Sequence, residues 1–79
     1  MKVTIKNFDK TDDSVVVGLT FIDERGQKFS IDQTIDATGK TDEECISEAH
    51  ASSLPEMEEW RSTTQYKGKQ FNPDTGQFV

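Results

Sequence analysis

The chain has 79 residues, of which 32% are hydrophobic and 30% are charged, so it is long enough for one small domain with a modest core. Its formal net charge of −6 argues against nucleic acid as a direct ligand, and its one cysteine cannot form an internal disulfide. The sequence has no apolar run of membrane-spanning length and no signal-peptide pattern, so we expect a cytoplasmic protein that does not bind membranes.

A β-meander of three antiparallel strands is predicted for residues 1–36. The first strand is short, because Val3 and Ile5 alternate with polar residues and a polar loop is expected at residues 9–13. We expect this strand to lie beside the second one, with Val3 near Leu19.

The second and third predicted strands, residues 14–22 and 28–36, form a hairpin. Residues 23–26 are typical of a three-residue loop with a glycine in the left-handed position. Pairing Asp23 with Gln27 places Phe21 opposite Phe29 and continues apolar pairs along one face of the sheet. Turn chemistry and apolar pattern therefore predict the same register.

An acidic helical segment is predicted for residues 41–61. Thr41 and Glu44 have the spacing of a capping box, so the helix begins at residue 42. Pro55 is unfavourable in a helix interior, but it lies within a second capping box, residues 53–56, where proline is tolerated in the first turn of a new helix. We therefore predict two short helices, residues 42–52 and 54–61, packed on one face of the sheet. The alternative is one kinked helix whose buried stripe continues to Met57 and Trp60.

The acidic residues of this segment predict a solvent-exposed face. It carries seven carboxylates and only one arginine, and such charges are not buried unpaired. Two sequence patterns that resemble catalytic or nucleotide-binding sites do not meet the geometric or sequence requirements of those sites. Cys45 and His50 diverge by about 140° around a helix, and Gly39-Lys40-Thr41 lacks the upstream glycine of a phosphate-binding loop. We expect no enzyme activity, no cofactor and no metal site.

The C-terminal segment, residues 66–79, is rich in aromatic residues. Asn72-Pro73-Asp74-Thr75-Gly76 is a well-specified turn that brings Phe71 and Phe78 together, so a C-terminal β-hairpin is predicted. An isolated hairpin is marginal in water. We expect it to dock on its own domain, beside the sheet or around Trp60; the alternative is a second copy or a partner, through strand addition at a sheet edge.

The combination of a compact meander, a Glu-rich helix and the ending YKGKQFNPDTGQFV resembles small accessory proteins of tailed-phage and prophage genomes. The resemblance implies a role in virion assembly or as a host-directed inhibitor, acting through contacts rather than chemistry. It assigns no functional residue.

The sequence therefore predicts an α+β domain that acts as a small acidic protein–protein interaction module, through a protein partner or self-association. The alternative is an acidic inhibitor that mimics nucleic-acid charge and blocks a basic host surface. The predicted partner-contact residues are Glu44, Glu48, Glu58, Glu59, Trp60, Tyr66, Phe71 and Phe78.

Overall fold

The computed structural model describes residues 1–78 and shows an α+β fold. Three antiparallel strands form one sheet in the order β1-β2-β3, one helix follows, and a two-stranded hairpin ends the chain. The elements are β1 (Lys2–Lys10), β2 (Ser14–Ile22), β3 (Lys28–Asp36), α1 (Asp42–Thr64), β4 (Phe71–Asn72) and β5 (Gln77–Phe78).

The predicted register of β2 and β3 is confirmed. Phe21 pairs with Phe29 along an unbroken antiparallel ladder. The loop closes with a hydrogen bond from the Asp23 amide to the Gln27 carbonyl at 3.0 Å, and Gly26 has a positive φ of 81°. A φ in this range favours glycine, which is why the loop pattern was diagnostic.

The buried carboxylate of Asp23 organises this loop and connects it to the helix. It accepts hydrogen bonds of 2.9 Å from the amides of Arg25 and Gln27. The Arg25 guanidinium lies 3.5 Å from the carboxylate and donates to the Thr64 carbonyl at 3.0 Å. Because Thr64 is the last residue of α1, this network fixes the end of the helix against the β2–β3 loop.

The predicted position of β1 was wrong by two residues. Val3 pairs with Phe21, not Leu19, and β1 continues to Lys10 through part of the predicted loop. The turn before β2 is shorter than predicted, with Lys10 paired with Val15, which shifts the register by three residues. The β-bulge between Ile5 and Asn7 then takes back one of the three.

The bulge lies beside Gly18, a position of the sheet where a larger side chain would clash with its neighbours. After the bulge, Asn7 pairs with Gly18. A Cβ atom at Gly18 would lie 2.0 Å from the Asn7 Oδ1 and 2.7 Å from the Asp32 Oδ1. Gly18 therefore lets polar side chains from both neighbouring strands converge over the centre of β2.

The structure has one helix where two were predicted. The capping box of Thr41 and Glu44 is present, but α1 runs without a break from Asp42 through Pro55 to Thr64. The Ser53 hydroxyl donates to the Ala49 carbonyl at 2.8 Å instead of capping a new helix. It also accepts from the Gln33 side chain at 3.1 Å, which satisfies the one polar side chain on the helix-facing side of β3.

The core lies between α1 and the β2–β3 half of the sheet. The helix packs mainly on these two strands, and small residues at its contact face allow a close approach. Phe29 and Trp60 extend the core, with ring centroids 5.5 Å apart. The buried apolar side chains are Val15, Val17, Leu19, Phe21, Ile35, Cys45, Ala49 and Met57.

The predicted C-terminal β-hairpin is present. Contrary to the prediction, it does not dock on the sheet. Phe71 pairs with Phe78, and the Gly76 amide donates to the Asn72 carbonyl at 2.9 Å. Among residues 1–78, β4 and β5 make their main element contact with each other. The helix runs three residues beyond its predicted end, which carries the hairpin past the sheet and gives a molecule 58 Å long. Val79 lies outside the described residues.

Pro55→Ala tests the continuous helix. Proline in a helix interior costs about 3 kcal/mol relative to alanine, so the substitution is expected to raise the free energy of unfolding by about 1–3 kcal/mol. Ser52→Ala, at an exposed neighbouring position of α1, is the control for helix propensity alone. Urea unfolding followed by circular dichroism measures both. A change no larger than that of the control would contradict one uninterrupted helix.

Asp23→Asn tests the loop network through its pH dependence. Burial acts to raise the pKa of Asp23, but the amides of Gln27 and Arg25 and the Arg25 charge outweigh it, so the pKa lies below its ordinary value. A carboxyl group with a lowered folded-state pKa stabilises the fold above its unfolded pKa of about 4, and this stabilisation is lost as the pH falls through the folded value.

The wild-type melting temperature is therefore expected to fall more steeply with acidification below about pH 4 than that of Asp23→Asn. The variant should already melt several degrees lower at neutral pH. Asp12→Asn, in the exposed β1–β2 turn, serves as the control. Thermal melts across this pH range measure the effect, and parallel curves for wild type and Asp23→Asn would refute it.

Candidate functional site

The aromatic hairpin, residues 66–78, has the most exposed aromatic side chains of the described structure. Phe78 stacks on Tyr66 with ring centroids 5.2 Å apart and meets Phe71 edge-on at 5.7 Å. The exposed fractions are 50% for Tyr66, 56% for Phe71 and 54% for Phe78. The three rings thus form a small apolar cluster that is open to solvent on its outer side.

Backbone turns hold the aromatic hairpin at the end of the helix. The Tyr66 and Lys67 amides donate to the carbonyls of Thr63 and Thr64 at 3.2 and 3.0 Å, so the chain leaves α1 in a defined direction. Within the hairpin, the Asn72 side chain accepts from the Asp74 amide at 2.9 Å. The rings are therefore presented on an ordered scaffold.

Trp60 is separate from this cluster. Its ring stacks on Phe29, and it is half-buried against the body of the protein. The predicted contact role for Trp60 gains no support from this position. The residue closes the end of the core beside β3.

The acidic residues of α1 are exposed, as predicted, but two of them are paired. Asp42 lies 2.8 Å from the Lys10 Nζ, and Glu48 lies 2.6 Å from the Lys40 Nζ. Hydrogen bonding to these carboxylates, together with their charge, raises the pKa of Lys10 and of Lys40 above the ordinary value. The first half of the helix is partly neutralised in consequence.

The four predicted acidic contact residues do not form one continuous site. Glu44 accepts from the Thr41 amide at 3.2 Å and so belongs to the helix cap. Glu58 and Glu59 lie near the other end of α1, about 15 Å along the axis from Glu48 at 1.5 Å per residue. The helix therefore presents two separate acidic groups.

Sequence reasoning missed a second apolar surface, the β1 patch, which consists of Met1, Val3 and Ile5. These side chains are 43%, 45% and 47% exposed. Directly paired residues project on the same face of a sheet. Val3 therefore shares the helix-side face with Phe21, but α1 covers β2 and β3 and leaves it open.

The six exposed large hydrophobic residues of the described chain fall into two groups of three. One group is the β1 patch and the other is the aromatic hairpin. The alternation of Val3 and Ile5 with polar residues was visible in the sequence, but this pattern predicted that both side chains are buried. They are exposed because one helix is too narrow to cover β1 as well as β2 and β3.

The residues considered for chemistry lie apart. The Cys45 side chain is buried in the core, whereas the His50 ring stacks on Phe21 with centroids 5.9 Å apart. Gly39 occupies a turn with a φ of 71°, and the next residue, Lys40, is paired with Glu48. Residues 1–78 contain no group of three or more His, Cys, Asp or Glu side chains arranged to hold a metal ion. No helix of this part of the chain has the length and apolar character to cross a membrane.

Comparisons with protein-family models, with curated proteins and with solved structures gave no match to this chain. The functional argument therefore depends on the geometry and charge of the described residues.

The burial of Cys45 predicts slow thiol chemistry. Cys45 is only 2% exposed in the native fold. A soluble disulfide reagent therefore reaches the sulfur only when the protein unfolds locally or globally. Labelling is expected to be slow in buffer and to accelerate in denaturant, as followed by absorbance of the released thiol. A Ser62→Cys variant, at an exposed position of the same helix, provides the fast reference. Equal rates at the two positions would show that the core is open around Cys45.

Proposed function

We propose that this chain is a small, non-catalytic interaction module of the cytoplasm that binds a protein through its aromatic hairpin. The observation that carries the proposal is the cluster of Tyr66, Phe71 and Phe78, whose rings contact one another and leave about half of their surface in water. Their apolar area favours contact with a second surface.

Aromatic side chains are well suited to this role. Tyrosine and phenylalanine supply large contact areas with few rotatable bonds, and they are enriched in protein interfaces. The turns around Gly68 and Gly76, which have φ values of 81° and 71°, fix the hairpin before binding. A partner then orders few additional groups, which reduces the entropic cost of association.

The charge distribution also favours the hairpin as the contact. Residues 1–65 carry seven basic and 14 acidic side chains, a net charge of −7, whereas residues 66–79 carry two lysines and one aspartate. The hairpin is thus the least acidic part of the protein and meets less repulsion from other acidic surfaces.

The resemblance to small accessory proteins of tailed phages fits this proposal. Such a protein would act in virion assembly or on a host component through contacts of this kind. The proposed phage origin rests on that resemblance of size, composition and C-terminal sequence, and on no structural match.

A second candidate function uses the acidic helix. Glu43, Glu56, Glu58 and Glu59 are exposed and make no ion pair within the described residues. A basic, nucleic-acid-binding surface would attract them. The separation of the acidic side chains into two groups, one of them partly neutralised by lysines, makes this the weaker proposal.

Affinity capture with three versions of the protein separates the two functions. The hairpin variant is Tyr66→Ser, Phe71→Ser and Phe78→Ser; the helix variant replaces Glu43, Glu56, Glu58 and Glu59 by Gln. The partner captured by the wild type is expected to be retained by the helix variant and lost by the hairpin variant. Binding should persist at high ionic strength, because apolar contacts are not screened.

The control is the fold of each variant, measured by far-UV circular dichroism and melting temperature. Loss of the partner in the helix variant, together with release by salt, would favour the charge-mimic function. Equal capture by the wild type and the hairpin variant would overturn the proposed role of the hairpin.

A further inference from the structure

We infer that the β1 patch of one chain receives the aromatic hairpin of a second copy, in a two-fold symmetric dimer. The inference rests on the proposed function, since it uses the same hairpin and names its partner. It adds a receiving surface, which consists of Met1, Val3 and Ile5.

The position of the β1 patch makes a reciprocal contact possible. The Met1 amino group lies 3.8 Å from the Glu24 carboxylate, which in turn lies 3.3 Å from the Arg61 guanidinium near the end of α1. The patch therefore begins at the end of the molecule from which the aromatic hairpin projects. Two chains that overlap at these ends bring each hairpin to the patch of the other, as a two-fold interface requires.

The chain's own hairpin does not occupy the patch. The amides of Tyr66, Lys67 and Lys69 donate to carbonyls three residues earlier, so a series of backbone turns follows the end of the helix. The helix has 23 residues and is about 35 Å long at 1.5 Å per residue, whereas the molecule extends over 58 Å. The hairpin thus accounts for length beyond the sheet and helix.

The sheet edge itself is a poor alternative contact. β1 carries lysines at positions 2, 6 and 10 and a bulge in its middle, two features that oppose the addition of another strand. Its exposed apolar side chains point to the helix-side face rather than along the edge. Docking of side chains on that face is therefore favoured over strand addition, which was the alternative drawn from the sequence.

The contact area favours a second copy as the occupant. Half-exposed aromatic and aliphatic side chains of this number cover about 500 Å² in one contact. One such contact is too small for a stable interface, whereas two related by symmetry reach about 1,000 Å², the size of a weak dimer.

Sedimentation equilibrium over a range of protein concentrations tests the dimer. The wild type is expected to shift from monomer to dimer mass as its concentration rises. The hairpin variant and a patch variant, Val3→Thr with Ile5→Thr, are expected to stay monomeric. Val16→Thr with Ile22→Thr makes the same chemical changes on the opposite face of the sheet and should dimerise like the wild type.

Disulfide trapping tests the contact itself. A chain with Val3→Cys mixed with a chain with Phe71→Cys should give a covalent heterodimer on mild oxidation. Val16→Cys mixed with Phe71→Cys should not. Cys45 is buried and contributes little background.

Three outcomes would overturn the inference: a wild type that is monomeric at every concentration, a dimer that persists in either variant, or trapping within one chain when both cysteines are placed together. A monomeric wild type whose hairpin variant still loses a captured partner would leave the proposed function intact. A hairpin variant that loses neither self-association nor partner would remove both.

Discussion

The width of one helix is the constraint on which the surface of this protein depends. An α-helix with its side chains is about 10–12 Å across, and neighbouring strands are about 4.8 Å apart, so one helix covers roughly two strands. Here α1 covers β2 and β3, and β2 supplies four of the eight buried apolar side chains. The helix-side face of the N-terminal half of β1 has no such cover, whereas Phe8 farther along the strand packs against the core. Val3 and Ile5 are left half in water although they pair with core residues of β2.

The length of the same helix determines where the C-terminal aromatics lie. Arg25 binds the Thr64 carbonyl and fixes the last turn of α1 beside the β2–β3 loop. Backbone turns then direct the chain away from the sheet and helix. Phe78 packs on Tyr66 and Phe71 rather than in the core. A small domain with one helix thus presents two apolar surfaces, and the negative charge of the helix lies on a third.

The parts of this fold that were predictable are those in which local chemistry and apolar pattern agree. Asp23 and Gly26 specify the β2–β3 loop, and the pairing of Phe21 with Phe29 follows. The β1–β2 turn starts two residues later than predicted, and the bulge at Lys6 carries no such local pattern, so the register of β1 was missed. Pro55 suggested a helix end, but burial of Ser53 and Met57 in one continuous stripe outweighs its local cost. The turn at residues 72–76 predicted the hairpin, whereas its position depends on the end of α1.

The central claim is that the aromatic hairpin is a contact surface for another molecule and not part of its own core. Isotope-filtered NOE spectroscopy on a mixture of labelled and unlabelled chains tests it most directly. Within one chain, the ring protons of Phe71 are expected to show NOEs to Phe78 and none to the methyl groups of Val3 and Ile5, which should appear only between chains. NOEs from the rings to these methyl groups within a single chain would contradict the account.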